Sequence, residues 1–210
     1  MTAKYRIVFF DVDSTLVTIE GIDVLAAGNP EIVRLTEAAM NGEVPLNEVY
    51  GRRLEIIRPD RAAIQALAQR YLQSLVPGAE ETMRALKEAG CIVHLISGGI
   101  EQALLPLASH LGVPLRAVAL QFEADGNYLR FDRRSPLARA RGKEVVVRDI
   151  RARTKGNAAF IGDGASDLEA KPAVDLFIGF GGVHTRARVR ENADVFVGGP
   201  RLDDVLPYLI

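Results

Sequence analysis

The sequence has little cysteine, no excess of charge of either sign and no long hydrophobic run. Cys91 is the only cysteine among 210 residues. An intrachain disulfide and a cysteine-based metal site are therefore excluded, and a reducing, cytoplasmic location is expected. Lys and Arg total 26 while Asp and Glu total 27, for a net charge of -1. This balance gives no general attraction to nucleic acid or to anionic membranes, so we expect a small soluble partner.

The hydrophobic runs are short. None reaches the roughly 18 residues that a membrane-spanning helix needs. The first run, residues 7–10, ends at Asp11, which argues against both a membrane span and a secretion signal. A chain of this length can hold one full domain with a large core, or one domain with a modest insertion.

Alternating strand and helix patterns after Pro77 predict a parallel sheet with helices on both faces. The apolar runs that follow the first strand are residues 91–97, 115–122, 157–163, 175–180 and 193–197. Asp125-Gly126, between short strand-like pieces, predicts a small hairpin at one edge. The expected fold class is α/β, a doubly wound, Rossmann-like parallel sheet.

Residues 18–76 carry a helical pattern instead. Three apolar stripes with helical spacing, which begin near Ile32, Leu46 and Ile64, predict three helices. We predict a helical cap at 18–76 and an α/β core made of 1–17 and 77–210, with Met40 in the interior of the cap. Ligands of open parallel sheets bind beyond the carboxyl ends of the strands, so an insertion after the first strand would cover the site as a lid.

Polar residues follow three of the predicted strands. The segments are DVD from Asp11, SGG from Ser97 and GDGASD at 162–167. Four carboxylates would thus share one edge and repel one another unless a cation lay among them: Asp11, Asp13, Asp163 and Asp167. Oxygen ligands with room for water favour Mg²⁺.

An anion site is predicted beside this cation. Ser97 and the amides of Gly98 and Gly99 are expected to open a helix and to bind phosphate oxygens, and Lys143 would supply a fixed positive charge. A carboxylate beside Mg²⁺ and phosphate indicates attack on phosphorus, which gives an aspartyl-phosphate that water then cleaves. A second, neighbouring carboxylate would transfer protons.

Four motifs in this order resemble those of the haloacid dehalogenase-like phosphatases: DVDSTLV, SGG, GK and GDGASD. Within that superfamily, DVDSTLVTIEGID resembles the extended first motif of the phosphoserine phosphatase family, DxDSTxxxxExxD, with Glu20 and Asp23 in place. The resemblance implies Mg²⁺-dependent hydrolysis of O-phosphoserine to serine and phosphate through an aspartyl-phosphate.

The resemblance also implies residue roles. Asp11 is the nucleophile and Asp13 the acid and base. Mg²⁺ is held by the side chains of Asp11 and Asp163 and by the backbone carbonyl of Asp13, with Asp167 in support. The substrate groups are bound as follows: phosphate by Ser97, Gly98 and Lys143, ammonium by Glu20, and carboxylate by Arg53.

Two points bear on substrate choice. Arg53 lies on the apolar stripe of its predicted helix, so it either extends its charge to solvent or pairs with a carboxylate, fixed or from a ligand. The chain also has Leu46, Ile100 and Ser166 where the family often has phenylalanine, phenylalanine and asparagine.

Alternative functions stay open at this point. The enzyme could act on another small phosphomonoester or transfer the phosphoryl group to another alcohol. Receiver modules of two-component signalling also use a Mg²⁺-bound aspartate with a serine or threonine and a lysine. They are shorter, however, and lack a helical insertion after the first strand.

Overall fold

The computed structural model describes residues 3–44 and 46–210, apart from the side chains of residues 46 and 47. Its strands form one parallel sheet and one separate antiparallel hairpin. The strands are β1 (Ile7–Phe10), β2 (Ile92–Ile100), β3 (Leu115–Val118), β4 (Leu120–Phe122), β5 (Tyr128–Phe131), β6 (Ala158–Gly162), β7 (Leu176–Phe180) and β8 (Val195–Val197).

The main sheet has the order β3-β2-β1-β6-β7-β8, and every neighbouring pair is parallel. Counted along the chain, its strands therefore have the Rossmann-like order 3-2-1-4-5-6, which differs from the 2-1-3-4-5 order of receiver modules. Strand β1 lies in the middle, and all four of its residues are fully buried, as expected for a strand covered on both faces. The predicted fold class is confirmed.

The strand order reverses between β1 and β6. Open sheets of this kind bind ligands in the crevice beyond the carboxyl ends of the two strands where the order reverses. Asp11 directly follows β1, and Asp163 directly follows β6. The topology alone therefore brings these two carboxylates to the same crevice.

Of the α-helices that the structure describes, four lie in the insertion, and the others lie in the rest of the chain. They are α1 (Gly21–Leu25), α2 (Pro30–Asn41), α3 (Leu46–Ile57), α4 (Arg61–Gln73), α5 (Ala79–Glu88), α6 (Glu101–Leu111), α7 (Gly142–Arg153), α8 (Ala165–Leu168), α9 (Ala187–Asn192) and α10 (Leu206–Leu209). Among the described residues, no helix has the length and hydrophobicity that crossing a bilayer requires.

The three helices predicted in the insertion are α2, α3 and α4. Local signals fix their ends: the Asn29 side chain accepts from the Glu31 amide at the start of α2, and Gly42, with φ of 76°, ends it. Asp60 caps α4 in the same way through the Ala63 amide. Helix α1 was not predicted, because five residues are too few to show a helical period.

The two chain segments that enter and leave the insertion lie side by side. Val17 and Leu75 form an antiparallel bridge, and the Thr18 amide donates to the Ser74 carbonyl at 2.8 Å. This pairing closes the insertion at its base, near the predicted limits of 18 and 76.

The predicted hairpin is present as β4 and β5, and it contacts the insertion. The ring of Phe131 packs edge-on against Tyr50 of α3, with 5.1 Å between the ring centroids. The Arg61 amide, at the start of α4, donates to the Gly126 carbonyl in the hairpin turn at 3.0 Å. The hairpin therefore packs against helices α3 and α4 of the insertion.

Two sequence predictions need correction. The run 115–122 is not one strand, since the chain leaves the main sheet after Val118 and enters the hairpin at Leu120. Ser97, Gly98 and Gly99 do not open a helix. The backbone stays extended through Ile100, which pairs with Val118 past a register shift, and α6 begins only at Glu101.

Candidate active site

A cavity lies between the insertion and the carboxyl edge of the sheet, over the crevice between β1 and β6. On the sheet side it is lined by Asp11, Asp13, Ser97, Gly98 and Lys143. On the insertion side it is lined by Glu20, Met40, Tyr50, Arg53 and Tyr71. The structure thus gathers most of the residues selected from the sequence around one cavity.

Three aspartates form a buried cluster at the bottom of the site. Asp11, Asp163 and Asp167 each offer a carboxylate oxygen within 4.8 Å of the others. Oxygen donors at this spacing are suited to a divalent cation. The cluster contains only side chains predicted as metal ligands, whereas the Asp13 carboxylate points elsewhere.

Lysine and arginine neutralise part of this negative charge. Lys143, the second residue of α7, places its Nζ 2.6 Å from Asp11 Oδ1 and 2.5 Å from Asp167 Oδ1. Arg186, just before α9, donates from Nε to Asp163 Oδ2 at 3.1 Å. With Asp13 and Glu20 included, five buried or nearly buried carboxylates share the site with three cationic side chains, those of Lys143, Arg186 and Arg53, so carboxylates outnumber cations among the site residues that the structure describes.

Burial and the repulsion between neighbouring carboxylates both raise pKa values in the cluster. Burial, followed by the charge of Asp167, raises the pKa of the Asp11 carboxyl well above its ordinary value. The same two causes raise the pKa of Asp163 to about 7. For Lys143, burial lowers the pKa, but Asp11 and Asp167 outweigh it and hold the ammonium charged. Both raised carboxyl pKa values indicate a site that can accept another positive charge.

Backbone geometry at the end of β6 fixes Asp163 and Asp167. The Asp167 carboxylate folds back to accept from the Gly164 amide at 2.8 Å. It passes so close to Gly162 that a Cβ there would lie 2.4 Å from Asp167 Cγ. Glycine is therefore required at 162, and Thr15 Oγ1 secures Asp163 by donating to its Oδ1 at 3.0 Å.

Asp13 is held by three hydrogen bonds. The Gly21 amide and the Tyr71 hydroxyl each donate to Oδ1 at 2.8 Å, and Ser97 Oγ lies 3.4 Å from Oδ2. Burial raises the pKa of Asp13, and the Gly21 and Tyr71 hydrogen bonds oppose this shift because they favour the charged form. The Asp13 carboxylate therefore has a fixed orientation, and its Oδ2 accepts a single long hydrogen bond from the described residues.

Ser97 and Gly98 line the sheet side of the cavity together with Lys143. Ser97 is fully buried, and its Oγ accepts from the Gly99 amide at 2.8 Å. Since this segment is extended, any anion contact there comes from a strand end and not from a helix N-terminus.

Glu20 and Arg53 are the charged residues of the insertion that line the cavity. Ser14 Oγ donates to Glu20 Oε1 at 2.6 Å, and Arg186 approaches the same oxygen at 3.6 Å. Burial, then the charges of Asp13 and Asp163, raises the pKa of Glu20 well above its ordinary value. A cationic group of a ligand would relieve this repulsion.

Arg53 is buried, with 6% of its surface exposed, so it does not extend its charge to solvent. Its guanidinium lies over the Tyr50 ring, and Nη1 donates to Thr36 Oγ1 at 3.1 Å. Thr36 in turn donates to Asp23 Oδ1 at 2.8 Å. Arg53 Nε has no hydrogen-bond partner among the described residues, which leaves a buried donor beside the cavity.

The contacts of Arg186, Tyr71 and Thr36 are among those not predicted from the sequence. Arg186 follows the glycine-rich turn after β7, a strand end that could have been examined with the others. Tyr71 lies on the predicted apolar stripe of α4, where its ring suits the core and nothing in the pattern reveals the hydroxyl contact. Thr36 likewise joins Arg53 to Asp23 through the fold of the insertion.

Met40, expected in the interior of the cap, lines the cavity instead. It does so because α2 runs close to the loop after β6: a Cβ at Gly164 would lie 2.8 Å from Met40 Cε. Ile100 and Ser166 also line the cavity. The Leu46 side chain lies outside the described residues.

Known proteins resemble this chain in sequence and in structure. The haloacid dehalogenase-like hydrolase family model matches residues 8–170. The chain is 41% identical over 196 residues to the chloroplastic phosphoserine phosphatase of Arabidopsis thaliana, covering 89% of this chain and 66% of that protein. It is 38% identical over 197 residues to the phosphoserine phosphatase of Bos taurus, covering 90% of this chain and 88% of that protein.

A solved structure of a phospho-aspartyl intermediate analogue of phosphoserine phosphatase is similar over nearly the whole chain. Its TM-score is 0.85 at 26% sequence identity, and the match covers 99% of this chain and 100% of that one. The similarity therefore includes the insertion as well as the sheet.

The carboxylate cluster predicts that divalent cations stabilise the folded protein. Saturating Mg²⁺, Mn²⁺ or Ca²⁺ should raise Tm by roughly 5 to 10 °C, because only the folded chain assembles the three carboxylates. Asp163→Asn should lose this shift for each ion. Asp149→Asn, at an exposed aspartate of α7, is the matched control and should retain it. An Asp163→Asn protein that keeps the full shift would exclude this cluster as the cation site.

Proposed function

The chain belongs to the haloacid dehalogenase-like hydrolase family, and from that membership we propose that it is a phosphoserine phosphatase, which hydrolyses O-phosphoserine to serine and phosphate. The supporting observation is the pair of charged side chains of the insertion in one cavity, Arg53 with an unpartnered Nε and Glu20 with a raised pKa. An α-amino acid carries the two complementary groups, a carboxylate and an ammonium. The similarity to phosphoserine phosphatases over most of the chain supports the same substrate.

In the proposed reaction Asp11 attacks phosphorus. A bond forms between an Asp11 carboxylate oxygen and phosphorus while the bond from phosphorus to the serine oxygen breaks. The electron pair of that bond goes to the serine oxygen, which takes a proton from Asp13. Water then attacks the aspartyl-phosphate, gives its proton to Asp13, and releases phosphate from a regenerated Asp11.

Charge arrangement supports these roles. Lys143 holds Asp11 from one side, which orients the carboxylate and stabilises negative charge on the incoming phosphate oxygens. Ser97 and Gly98 face the same space and would contribute hydrogen bonds to phosphate.

We propose Mg²⁺ as the cofactor, held by Asp11 and Asp163 side chains and the Asp13 backbone carbonyl, with Asp167 in support. The buried, oxygen-only donor set at the crevice fits such an ion. When bound, Mg²⁺ would balance the carboxylates and polarise the phosphoryl group.

We further propose that residues 18–76 form a cap domain over a core formed by the remaining residues, and that the cap excludes water from the cavity. The same proposal includes a small soluble substrate, no nucleic-acid partner for the protein, and a cytoplasmic location. Transfer of the phosphoryl group to another alcohol instead of water is the alternative outcome. A phosphate-release assay with added alcohols distinguishes the two.

Asp11→Asn should abolish turnover and leave the fold intact, because an amide cannot attack phosphorus. Phosphate release and the Tm are measured together, with Asp149→Asn as the control. Wild-type enzyme that is quenched with acid during turnover should carry a covalent phosphoryl group that alkali removes. The variant should lack this group. Substantial release of phosphate by folded Asp11→Asn would disprove the nucleophile assignment.

Asp13→Asn should slow the first turnover of phosphoserine by roughly 10²- to 10⁴-fold, the usual contribution of general acid catalysis. First-turnover release of para-nitrophenol from its phosphate ester should change much less, since this leaving group needs no proton. Rapid-quench kinetics measures both rates. Equal losses on the two esters would mean that Asp13 does not act as the acid.

Arg53→Ala tests the substrate directly. The wild type should prefer phosphoserine over phosphoethanolamine, which lacks the carboxylate, by at least about tenfold in kcat/KM, because a hydrogen bond to a charged group contributes about 1.5 to 3 kcal/mol. Arg53→Ala should remove most of this preference by slowing phosphoserine alone. Arg53→Lys should restore only part of it, since lysine lacks the planar fork of guanidinium.

Arg52→Ala is the matched control for this experiment. Arg52 is the neighbouring residue of the same helix, but it is exposed and pairs with Glu31. The control should keep the wild-type preference. If Arg53→Ala also keeps it, Arg53 does not bind the carboxylate and the substrate assignment fails.

A further inference from the structure

We propose that Tyr71, on helix α4 of the insertion, is a positioning residue that holds Asp13 in the orientation needed for proton transfer. The inference rests on the proposed function, in which Asp13 transfers the proton. It adds a residue from the insertion to the groups on which the chemical step depends.

The two carboxylate oxygens of Asp13 differ in their hydrogen bonds. Oδ1 accepts from the Tyr71 hydroxyl and from the Gly21 amide, both at 2.8 Å, so two donors occupy it. From the part of the chain that the structure describes, Oδ2 receives only the long contact of 3.4 Å from Ser97 Oγ, and it faces Gly99, where an added Cβ would lie 3.1 Å from it. Oδ2 is therefore the oxygen available to exchange a proton with a ligand in the cavity.

Without Tyr71, rotation of this carboxylate would meet less resistance. The remaining bond to Oδ1 comes from one backbone amide, and the bond to Oδ2 is long. A proton donor must lie within hydrogen-bond reach of the leaving oxygen, so a rotated Asp13 would lose the productive geometry. The Tyr71 side chain is itself fixed, since only 1% of its surface is exposed.

The surroundings of the hydroxyl are shaped for this contact. A Cβ at position 21 would lie 1.9 Å from Tyr71 Oη and 2.7 Å from its Cζ. Only glycine at 21 therefore lets the tyrosine reach Asp13 while the amide of the same residue donates to the same oxygen. Both donors belong to the insertion, whereas Asp13 follows a strand of the sheet.

Tyr71→Phe removes the hydroxyl and keeps the ring. It should slow the first turnover of phosphoserine by roughly 10- to 100-fold, the range expected for loss of a hydrogen bond to a charged group. KM should change little, because Tyr71 contacts no substrate group in the proposed reaction. First-turnover release of para-nitrophenol from its phosphate ester should stay within about twofold of wild type. In an Asp13→Asn background, Tyr71→Phe should have no further effect on phosphoserine.

Tyr128→Phe is the matched control, since it removes a buried hydroxyl that has no hydrogen-bond partner among the described residues and lies in the hairpin. It should keep wild-type rates on both esters. Gly21→Ala gives a second test, because its methyl group displaces the Tyr71 hydroxyl. It should reproduce the loss that is selective for phosphoserine, and it decides the question if Tyr71→Phe does not fold.

A wild-type rate for Tyr71→Phe on phosphoserine, or equal losses on both esters, would overturn the inference. Additive losses in the Asp13→Asn background would overturn it as well. Failure of the proposed function is seen separately, as absence of phosphoserine hydrolysis by the wild type. In that case the same ratios are measured with whichever alkyl phosphomonoester the wild type does hydrolyse.

Discussion

The paired contacts of Lys143 with Asp11 and Asp167 are the interaction on which the site depends. They join the start of α7 to the end of β1 and to α8, three places far apart in the sequence. All three side chains are buried, and loss of the lysine would leave two buried carboxylates without their cation, which typically costs about 3 to 5 kcal/mol. The lysine is thus both a structural connection at the crevice and the fixed positive charge beside the nucleophile proposed above.

The sheet explains why much of the site could be predicted from the sequence. Each apolar run that ends in polar residues marks a strand end, and in a parallel sheet those ends meet at one edge. Asp11, Ser97 and Asp163 were selected on this ground, and all three lie near the crevice between β1 and β6. Lys143 was selected because a site with a bound anion and several carboxylates needs a fixed positive charge. The order of these segments along the chain was enough to select the residues, because the parallel topology brings the ends of the strands close together.

Contacts across the insertion could not be predicted in this way. The hydroxyl of Tyr71 meets Asp13 across 58 positions of sequence, and the apolar spacing of α4 accounts for the ring without requiring that contact. Arg53, Thr36 and Asp23 form a chain of hydrogen bonds that depends on how three helices pack. The backbone at Gly98 and Gly99 also stays extended between two residues paired with the next strand, Ile96 and Ile100, and local preferences do not reveal this pairing.

Asp11 and Asp13 differ in what holds them, although one residue separates them. Asp11 is fixed by Lys143, which belongs to the α/β layer around the main sheet. Asp13 is fixed by the Gly21 amide and the Tyr71 hydroxyl, which both belong to the insertion. The ion-pair partner of Asp11, the nucleophile of the proposed reaction, therefore belongs to the sheet layer, while two of the three donors to Asp13, the proposed proton carrier, belong to the insertion. Since the insertion also carries Glu20 and Arg53, the groups proposed to recognise the substrate and two groups that orient the proposed acid lie in the same stretch of chain. A shift of the insertion away from the sheet would therefore weaken the proposed substrate recognition and proton transfer together, whereas the Lys143 to Asp11 contact involves no residue of the insertion.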